Sequence, residues 1–332
     1  MQSPQDRFDV FAETAGIPSV LQYGDPGQVP SPAVTVIMPV YHRPDLFALA
    51  LDSVLQQDFA GPYEVLVVDN HEADPSPNLE VVRRTGSHKV LYYHNAQNLG
   101  MFGNWNRGIT LARAPFVSFC HDDDLLLPGA LSRLMELQPL AGKACILSAF
   151  HEIDGEGRKT DTTVLSRRVG PLKPRGHFRY SFIGQVLANV SCGDGCLYGR
   201  EQLLSLGGYD SDYYPSSDYE LNIHYARRFG AWINNVPTSC YRVSDNESMQ
   251  VFRQFPAANR RVQEKWLLPD GKPRWLVRRL IGAVYRNATC SAGKAWASEP
   301  DSAQPADKVS LSDRALLWMA RTFDRVHKYT LL

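Results

Sequence analysis

The chain has 332 residues, with 35 Lys and Arg set against 35 Asp and Glu for a formal charge of zero. That length suits one large α/β domain or two modest ones, and 44% hydrophobic with 21% charged residues exclude an intrinsically disordered chain. A neutral total excludes a general nucleic-acid binder, whose affinity rests on neutralising phosphates, and no apolar run approaches the roughly 20 residues of a membrane-spanning helix.

Residues 1–32 hold five prolines and three glycines and read as an extension draped over the domain. Their start carries acids and polar residues where a secretory signal has a basic start and an apolar block. The run VTVIMPV (34–40) predicts a strand buried on both faces, and Pro44 and Asp45 open a helix with Leu46, Leu49, Ala50 and Val54 on one face. EVLVVD (64–69) is a second buried strand, followed by a proline-bearing loop and a short helix near 79–84. KVLYYH (89–94) is the third strand, a helix covers 102–112, and PFVSFC (115–120) is the fourth strand, ending on His121-Asp122-Asp123-Asp124.

This alternation implies βαβ units in a parallel sheet with right-handed crossovers. Ligands collect at the carboxyl ends of such strands, which puts 39–42, 69–71, 94–100 and 121–124 along one rim. A helix over 130–138 and a strand over 144–150 extend the sheet, and 151–186 reads as an irregular, pocket-shaping insertion. Residues 195–210 read as strand, short helix and turn. A capped helix over 216–228 carries Leu221, Tyr225 and Phe229 on one stripe, and 232–243 is strand-like. Beyond Met249 the chain becomes helical and basic. The six cysteines are too few for a disulfide scaffold, and the C-x3-C pair Cys192 and Cys196 lacks a second cluster at zinc-like spacing. All six read as reduced thiols of a cytoplasmic protein.

Three consecutive carboxylates at 122–124 repel one another unless solvated or neutralised. A hard divalent cation, Mg2+ or Mn2+, held by one or two of them and by substrate phosphates, is one neutraliser; a solvated turn or a helix cap is the bland alternative. Placement at the end of the fourth strand favours the metal. Ser217-Asp218-Tyr219-Glu220 sets two acids at a helix start on different faces, which suits separate tasks: one as general base, the other orienting neighbours or serving the helix dipole. Asp69 ends the second strand, where a carboxylate can meet a base or ribose. Tyr41 and His42 end the first, where an aromatic face can stack on a base. Asn98, Gly100 and Asn106 surround the turn after the third strand, as scaffold or as site.

VTVIMPVYHRPDLFALALDSVLQQDF, EVLVVDN, NLGMFGNWNRGI, FVSFCHDDDLLLPGAL and GGYDSDYYPSSDYELNIHYA stand in the order and spacing of glycosyltransferase family 2, which the chain resembles over roughly residues 33–245. The resemblance implies a GT-A-type α/β fold, a mostly parallel sheet flanked by helices. It comprises a Rossmann-like nucleotide half (33–128) and an acceptor half (129–249), between the N-terminal extension (1–32) and a basic helical C-terminal extension (250–332). It implies an inverting transferase with a nucleotide-sugar donor, a glycan or lipid-linked acceptor and a divalent metal, Mn2+ or Mg2+, in the usual setting of bacterial surface-glycan synthesis. Residue by residue, Pro39 and Tyr41 match the segment lining the nucleobase pocket, and Asp69 matches the acid that contacts the base. The run at 122–124 overlies the DXD-type motif, with Asp122 nearer the ribose and Asp123 and Asp124 as metal ligands. Asp218 matches the proposed catalytic base, and Glu220 and Arg242 stand on the acceptor side. His121 replaces the Asp that often begins the motif, Asn70 replaces a second Asp, Ser217 replaces a Glu, and Ser244 stands where some members carry His.

Two other readings compete. A non-catalytic sugar-nucleotide-binding or assembly protein can share the fold. A nucleotidyltransferase should open with a Gly-rich basic loop, where this chain has Met38-Pro39-Val40-Tyr41-His42-Arg43. Residues 251–290 hold nine Arg or Lys and two acids, with Trp266 and Trp275 among them. This suits either a peripheral contact at the inner face of the plasma membrane or a helical extension packed on the domain. Nucleic acid is not an expected partner, and homo-oligomerisation is left open.

Overall fold

The computed structural model describes residues 9–163, 176–187, 193–244, 250–268, 274–295 and 310–318. In chain order, α1 (Phe11–Thr14) and β1 (Ser19–Tyr23) precede β2 (Val34–Val40), α2 (Pro44–Leu55), β3 (Tyr63–Asp69), α3 (Pro77–Thr85), β4 (Val90–Asn95), α4 (Gly100–Leu111) and β5 (Phe116–Phe119). Then come β6 (Leu125–Leu126), α5 (Ala130–Ala141), β7 (Cys145–Ile153), β8 (Lys159–Thr163), β9 (His177–Tyr180), α6 (Phe182–Leu187) and β10 (Tyr198–Gly199). The remainder is α7 (Arg200–Ser205), α8 (Ser217–Phe229), β11 (Ala231–Arg242), α9 (Phe255–Leu267) and α10 (Arg274–Ala295).

The first sheet runs β1-β4-β3-β2-β5-β10, with β2, β3, β4 and β5 parallel and β1 and β10 antiparallel at its edges. Successive side chains of a strand face opposite ways, and here both faces are covered. Val36, Met38, Val65 and Val67 pack with Phe47 and Leu51, while Ile37, Leu66 and Val68 pack with Phe102 and Ile109. That double cover is why β2 and β3 are continuous apolar runs rather than alternating ones. Helix α4 lies so close to β2 that a Cβ on Gly108 would stand 2.3 Å from Ile37 Cγ2.

Three expectations need correction. Strand β7 does not extend the first sheet; it pairs in parallel with β11 in a second sheet, ordered β6-β11-β7-β8, with β9 also on β11. The outer edge of β5 is already taken by β10 and by the Phe119–Asp194 bridge, so β7 finds its long partner elsewhere and meets the segment leading into β10 through an isolated bridge between Ile146 and Leu197. The insertion at 151–186 is not irregular throughout, since β8, β9 and part of α6 lie in it, while 164–175 falls outside the described residues. Helix α2 buries Phe47, Ala50, Leu51 and Val54 and leaves Leu49 56% exposed, so its apolar face is rotated from the one expected.

The extension at 1–32 is more than drapery, because β1 pairs antiparallel with β4 and Arg107 ties it down through Ser19 Oγ and Thr14 O. Of the cysteines, Cys120, Cys145, Cys196 and Cys240 are buried; Cys192 and the Cys290 side chain fall outside the described residues.

Candidate functional site

The carboxyl end of β2 leads into Tyr41, His42 and Arg43, with His42 in the left-handed region at φ 58°. That bend turns three side chains along the rim. The Tyr41 hydroxyl donates to Glu72 Oε1 at 2.7 Å, His42 Nε2 meets Glu72 Oε2 at 2.6 Å, and the His42 ring stacks on His71 with centroids 4.4 Å apart. Asn98 Nδ2 reaches the same Glu72 oxygen as Tyr41, at 3.3 Å. These bonds, Tyr41's first and His42's next, hold the Glu72 carboxyl down at about 2. Tyr41 remains 43% exposed, so its ring is open to a planar ligand. The sequence reading put His71 on the rim without a role and stopped short of Glu72; the bend at His42 brings its ring to both.

Asp69, Asn106 and Asn70 work inside this rim. Asp69 is fully buried and takes bonds from the Ser76 hydroxyl, Asn78 Nδ2, the Tyr92 hydroxyl and the His71 N–H. Its oxygens hold the loop from His71 to Asn78, so it fixes the ground under His71 and Glu72. Asn70 joins the Gly100 carbonyl, Asn95 and the Leu99 N–H. Gly100 takes φ 72° and donates to Asn98 Oδ1 at 2.8 Å, a left-handed position that glycine fills without strain. Asn106 donates to the Tyr209 carbonyl at 2.9 Å and accepts the Tyr209 N–H at 2.7 Å, clamping the Gly207–Tyr209 turn to α4. Pro39 sits within β2, paired with Val68 of β3.

The acidic run lies beside Tyr41. Asp122 Oδ2 accepts the Tyr41 N–H at 3.0 Å, and the Arg43 guanidinium pairs with Asp123 and stands 3.8 Å from Asp122 Oδ1. Arg242 binds the turn from behind: its N–H donates to Asp124 Oδ1 at 2.7 Å, and its buried guanidinium donates to the carbonyls of Asp123, Asp154 and Gly155. Arg242 therefore braces the acidic turn. Burial, and next the Asp123 charge, push the Asp122 carboxyl up to about 7; burial and the Asp194 charge push Asp124 up to about 8. Asp123 is raised by burial and by Asp124, against the pull of Arg43.

His121 follows a different logic. Its Nδ1 meets Asp194 Oδ2 at 2.9 Å, its N–H donates to Asp194 Oδ1 at 2.8 Å, and its ring stacks on Trp105 at 4.4 Å. Burial alone would lower its pKa, but the Asp194 charge, the nearby Asp124 carboxylate and the bond to Asp194 hold it well above the usual histidine range. Asp194 was missed; its signal is a lone carboxylate between Gly193 and Gly195, both at positive φ, ahead of a buried strand. Asp218 lies half-buried in the first turn of α8, and Ser217 Oγ donates to the Asp210 carbonyl at 2.6 Å, fastening that turn. Burial first, then the charges of Asp218, Cys196 and Asp194, raise the Tyr209 phenol. The acids of α8 and of the His121 cluster thus act on one phenol, with Trp105 edge-on to it at 5.0 Å. Glu220 is buried and meets Lys265 Nζ at 2.8 Å, which docks α9 on α8 instead of facing a ligand.

The residues present fit a divalent metal. The carboxyls are raised by burial and by one another, and the buried Asp124 Oδ2 has no hydrogen-bond partner, nor does His121 Nε2. The sequence put forward Asp123 and Asp124; Asp123 is paired with Arg43, and a cation beside the buried Asp124 would relieve the repulsion.

The profile of Glycosyl transferase family 2 matches residues 35–205, more than half the chain. The chain belongs to glycosyltransferase family 2. Its fold is the GT-A type, and the chain spans 60% of the length of the first curated relatives it matches. Among curated relatives, this family 2 chain is 30% identical over 189 residues to the GalNAc(5)-diNAcBac-PP-undecaprenol beta-1,3-glucosyltransferase of Campylobacter jejuni, covering 54% of the chain and 60% of the relative. It is 24% identical over 224 residues to the putative colanic acid biosynthesis glycosyl transferase WcaA of Escherichia coli, covering 67% and 76%. Among solved structures, S. aureus TarS 1-349 in complex with UDP-GlcNAc superposes with a TM-score of 0.58 at 14% identity, over 89% of each chain. The mannosyltransferase PcManGT from Pyrobaculum calidifontis, in complex with GDP-Man and Mn2+, gives 0.54 at 17%, over 96% of this chain and 88% of that one. No helix among the described residues is long and apolar enough to cross a membrane.

Proposed function

We propose that this family 2 chain moves a hexosyl or deoxyhexosyl group, with inversion, from a nucleoside-diphosphate donor to a hydroxyl of a glycan or lipid-linked acceptor in bacterial surface-glycan synthesis. The observation that carries the reading is the bond from the Tyr41 N–H to Asp122 Oδ2, which joins the exposed Tyr41 ring to the acidic turn. Residues 33–128 form the donor half and 129–249 the acceptor half. The open Tyr41 ring stacks on the base, Asn98 and Gly100 shape the adjoining rim, and Asp122 lies towards the ribose. Arg43, paired with Asp123, sets a guanidinium where a diphosphate would lie. A divalent metal, when bound, supplies charge neutralisation to the departing diphosphate.

Asp218 takes the proton of the acceptor hydroxyl. The acceptor oxygen bonds to the anomeric carbon, the bond from that carbon to the diphosphate oxygen breaks, and its electron pair leaves with the diphosphate. The lipid-linked part of the reading draws on the name of the C. jejuni relative. Trp275, 60% exposed, and exposed Arg278 and Arg279 near the start of α10 suit a peripheral contact with anionic lipid at the inner face of the plasma membrane, while α9 packs on the domain through Ala258 and Val262.

The test is nucleotide release from a panel of sugar nucleotides with Mn2+, with and without EDTA. Asp218→Asn should lower kcat by about 10²–10⁴-fold with nucleotide Kd unchanged. Full turnover in that variant would remove Asp218 from the mechanism.

A further inference from the structure

We infer that His121 Nδ1, Asp124 Oδ2 and Asp194 Oδ2 form a site for a divalent transition-metal ion, deeper than the Asp122 and Asp123 carboxylates. One ligand atom from each of the three residues lies within 4.8 Å of the other two; Nδ1 is 2.9 Å from Asp194 Oδ2 and 3.8 Å from Asp124 Oδ2. Ligands around one ion at bonds of about 2.1 Å stand roughly 3 Å apart when adjacent, so the group need close only slightly. Asp124 and Asp194 are fully buried.

The unsatisfied atom decides between a proton and a cation. A proton on Nδ1 serves Asp194 but leaves Asp124 Oδ2, buried, without a hydrogen-bond partner; a divalent ion serves both carboxylates and the imidazole together. The outer carboxylates are otherwise engaged, Asp123 with Arg43 and Asp122 Oδ2 with the Tyr41 N–H. The frame is built from β11, whose Arg242 N–H holds Asp124 Oδ1 and whose Ser239 hydroxyl holds the Asp194 carbonyl, while Trp105 sets the plane of the imidazole. The other grouping of this kind among the described residues, His42, His71 and Glu72, has two exposed members, and Glu72 already accepts from Tyr41 and Asn98 and meets His42. One imidazole with two carboxylates suits Mn2+, Co2+ or Zn2+ better than Mg2+, which prefers oxygen alone. The part this ion plays in transfer rests on the proposed glycosyl-transfer reading; the site itself does not.

Mn2+ is titrated into the purified chain, alone and with UDP, followed by calorimetry and by pulsed EPR for nitrogen coupling, with 15N-histidine labelling as the control. One ion per chain with a histidine nitrogen coupling is expected. Asp194→Asn and Asp124→Asn should each weaken Mn2+ binding by at least about 10-fold, and Asp123→Asn should change it less. His121→Asp, which needs no new space, should retain an ion, lose the nitrogen signal and bind Mg2+ more tightly than the parent. Its retained ion also separates ligand loss from misfolding in the other variants. Binding without nitrogen coupling that disappears in Asp123→Asn would put the ion on the outer carboxylates and overturn the inference, leaving the transfer reading standing. No Mn2+ binding in either condition would overturn it as well, and nucleotide release from the donor panel then reports on transfer separately.

Discussion

Asn106→Ala separates a clamp from a ligand contact. The side-chain amide joins both backbone groups of Tyr209, at 2.7 and 2.9 Å and across 103 residues of chain. Alanine leaves the Tyr209 N–H and carbonyl buried without those partners. An orphaned buried group costs about 1–3 kcal/mol, so the pair gives roughly 2–6 kcal/mol, with about 3 kcal/mol as a working value. At about 2 °C per kcal/mol for a chain of this size, the melting midpoint should fall by roughly 6 °C. The turn is tightly fitted, since a Cβ on Gly208 would stand 2.5 Å from Asn106 Oδ1. Tyr209 precedes the Ser211–Tyr213 turn that leads to Asp218, so kcat should fall further than nucleotide affinity. Melting by calorimetry and nucleotide binding by titration give the two readouts. A midpoint within about 1 °C of the parent, together with weakened nucleotide binding, would refute the clamp and return Asn106 to the donor pocket.

Arg113→Ala should destabilise the chain by about 3–5 kcal/mol, because buried Glu64 keeps only its Thr35 and backbone bonds once the guanidinium is gone; urea unfolding measures it, and a change below about 1 kcal/mol would show that the charge finds water. The Glu72 carboxyl is held at about 2 against an ordinary 4.5, so its contribution is full above pH 4.5 and is lost as the pH falls towards 2. Melting curves of parent and Glu72→Gln should therefore differ at neutral pH and converge in acid, and a constant gap would break the link to ionisation. Arg278→Glu with Arg279→Glu should reduce sedimentation with anionic vesicles at low salt, and a parent chain that does not sediment would end the membrane reading.

The first sheet was legible because its central strands are apolar on both faces and its helices begin with strong signals, such as Pro44 in α2 and Pro77 in α3. The second sheet was not legible, since the partner of β7 lies some eighty residues on, at β11, and neither run carries a mark of register. The acidic run announced itself by repulsion, and His121 stood out as a departure from the family's pattern. Asp194 did not stand out, because its meaning comes from the fold that sets it against His121. For the same reason Asp69 read as a ligand in sequence and Asn106 as either scaffold or site: a buried polar side chain that satisfies backbone and one that meets a substrate have the same local signature.

Strand β1 has a consequence for how the protein is made. Ser19 precedes its pairing residue Asn95 by 76 positions, so at a synthesis rate of roughly 5–20 residues per second β1 waits about 4–15 s for β4 to emerge. During that interval β2 and β3 are already out and can pair with each other. With only five residues, between Pro18 and Gly24 and half-polar in sequence, β1 is a poor template for wrong partners while it waits. Of these four strands β1 is made before β2, β3 and β4 yet cannot pair until β4 has emerged, so for this strand alone the order of pairing departs from the order of synthesis.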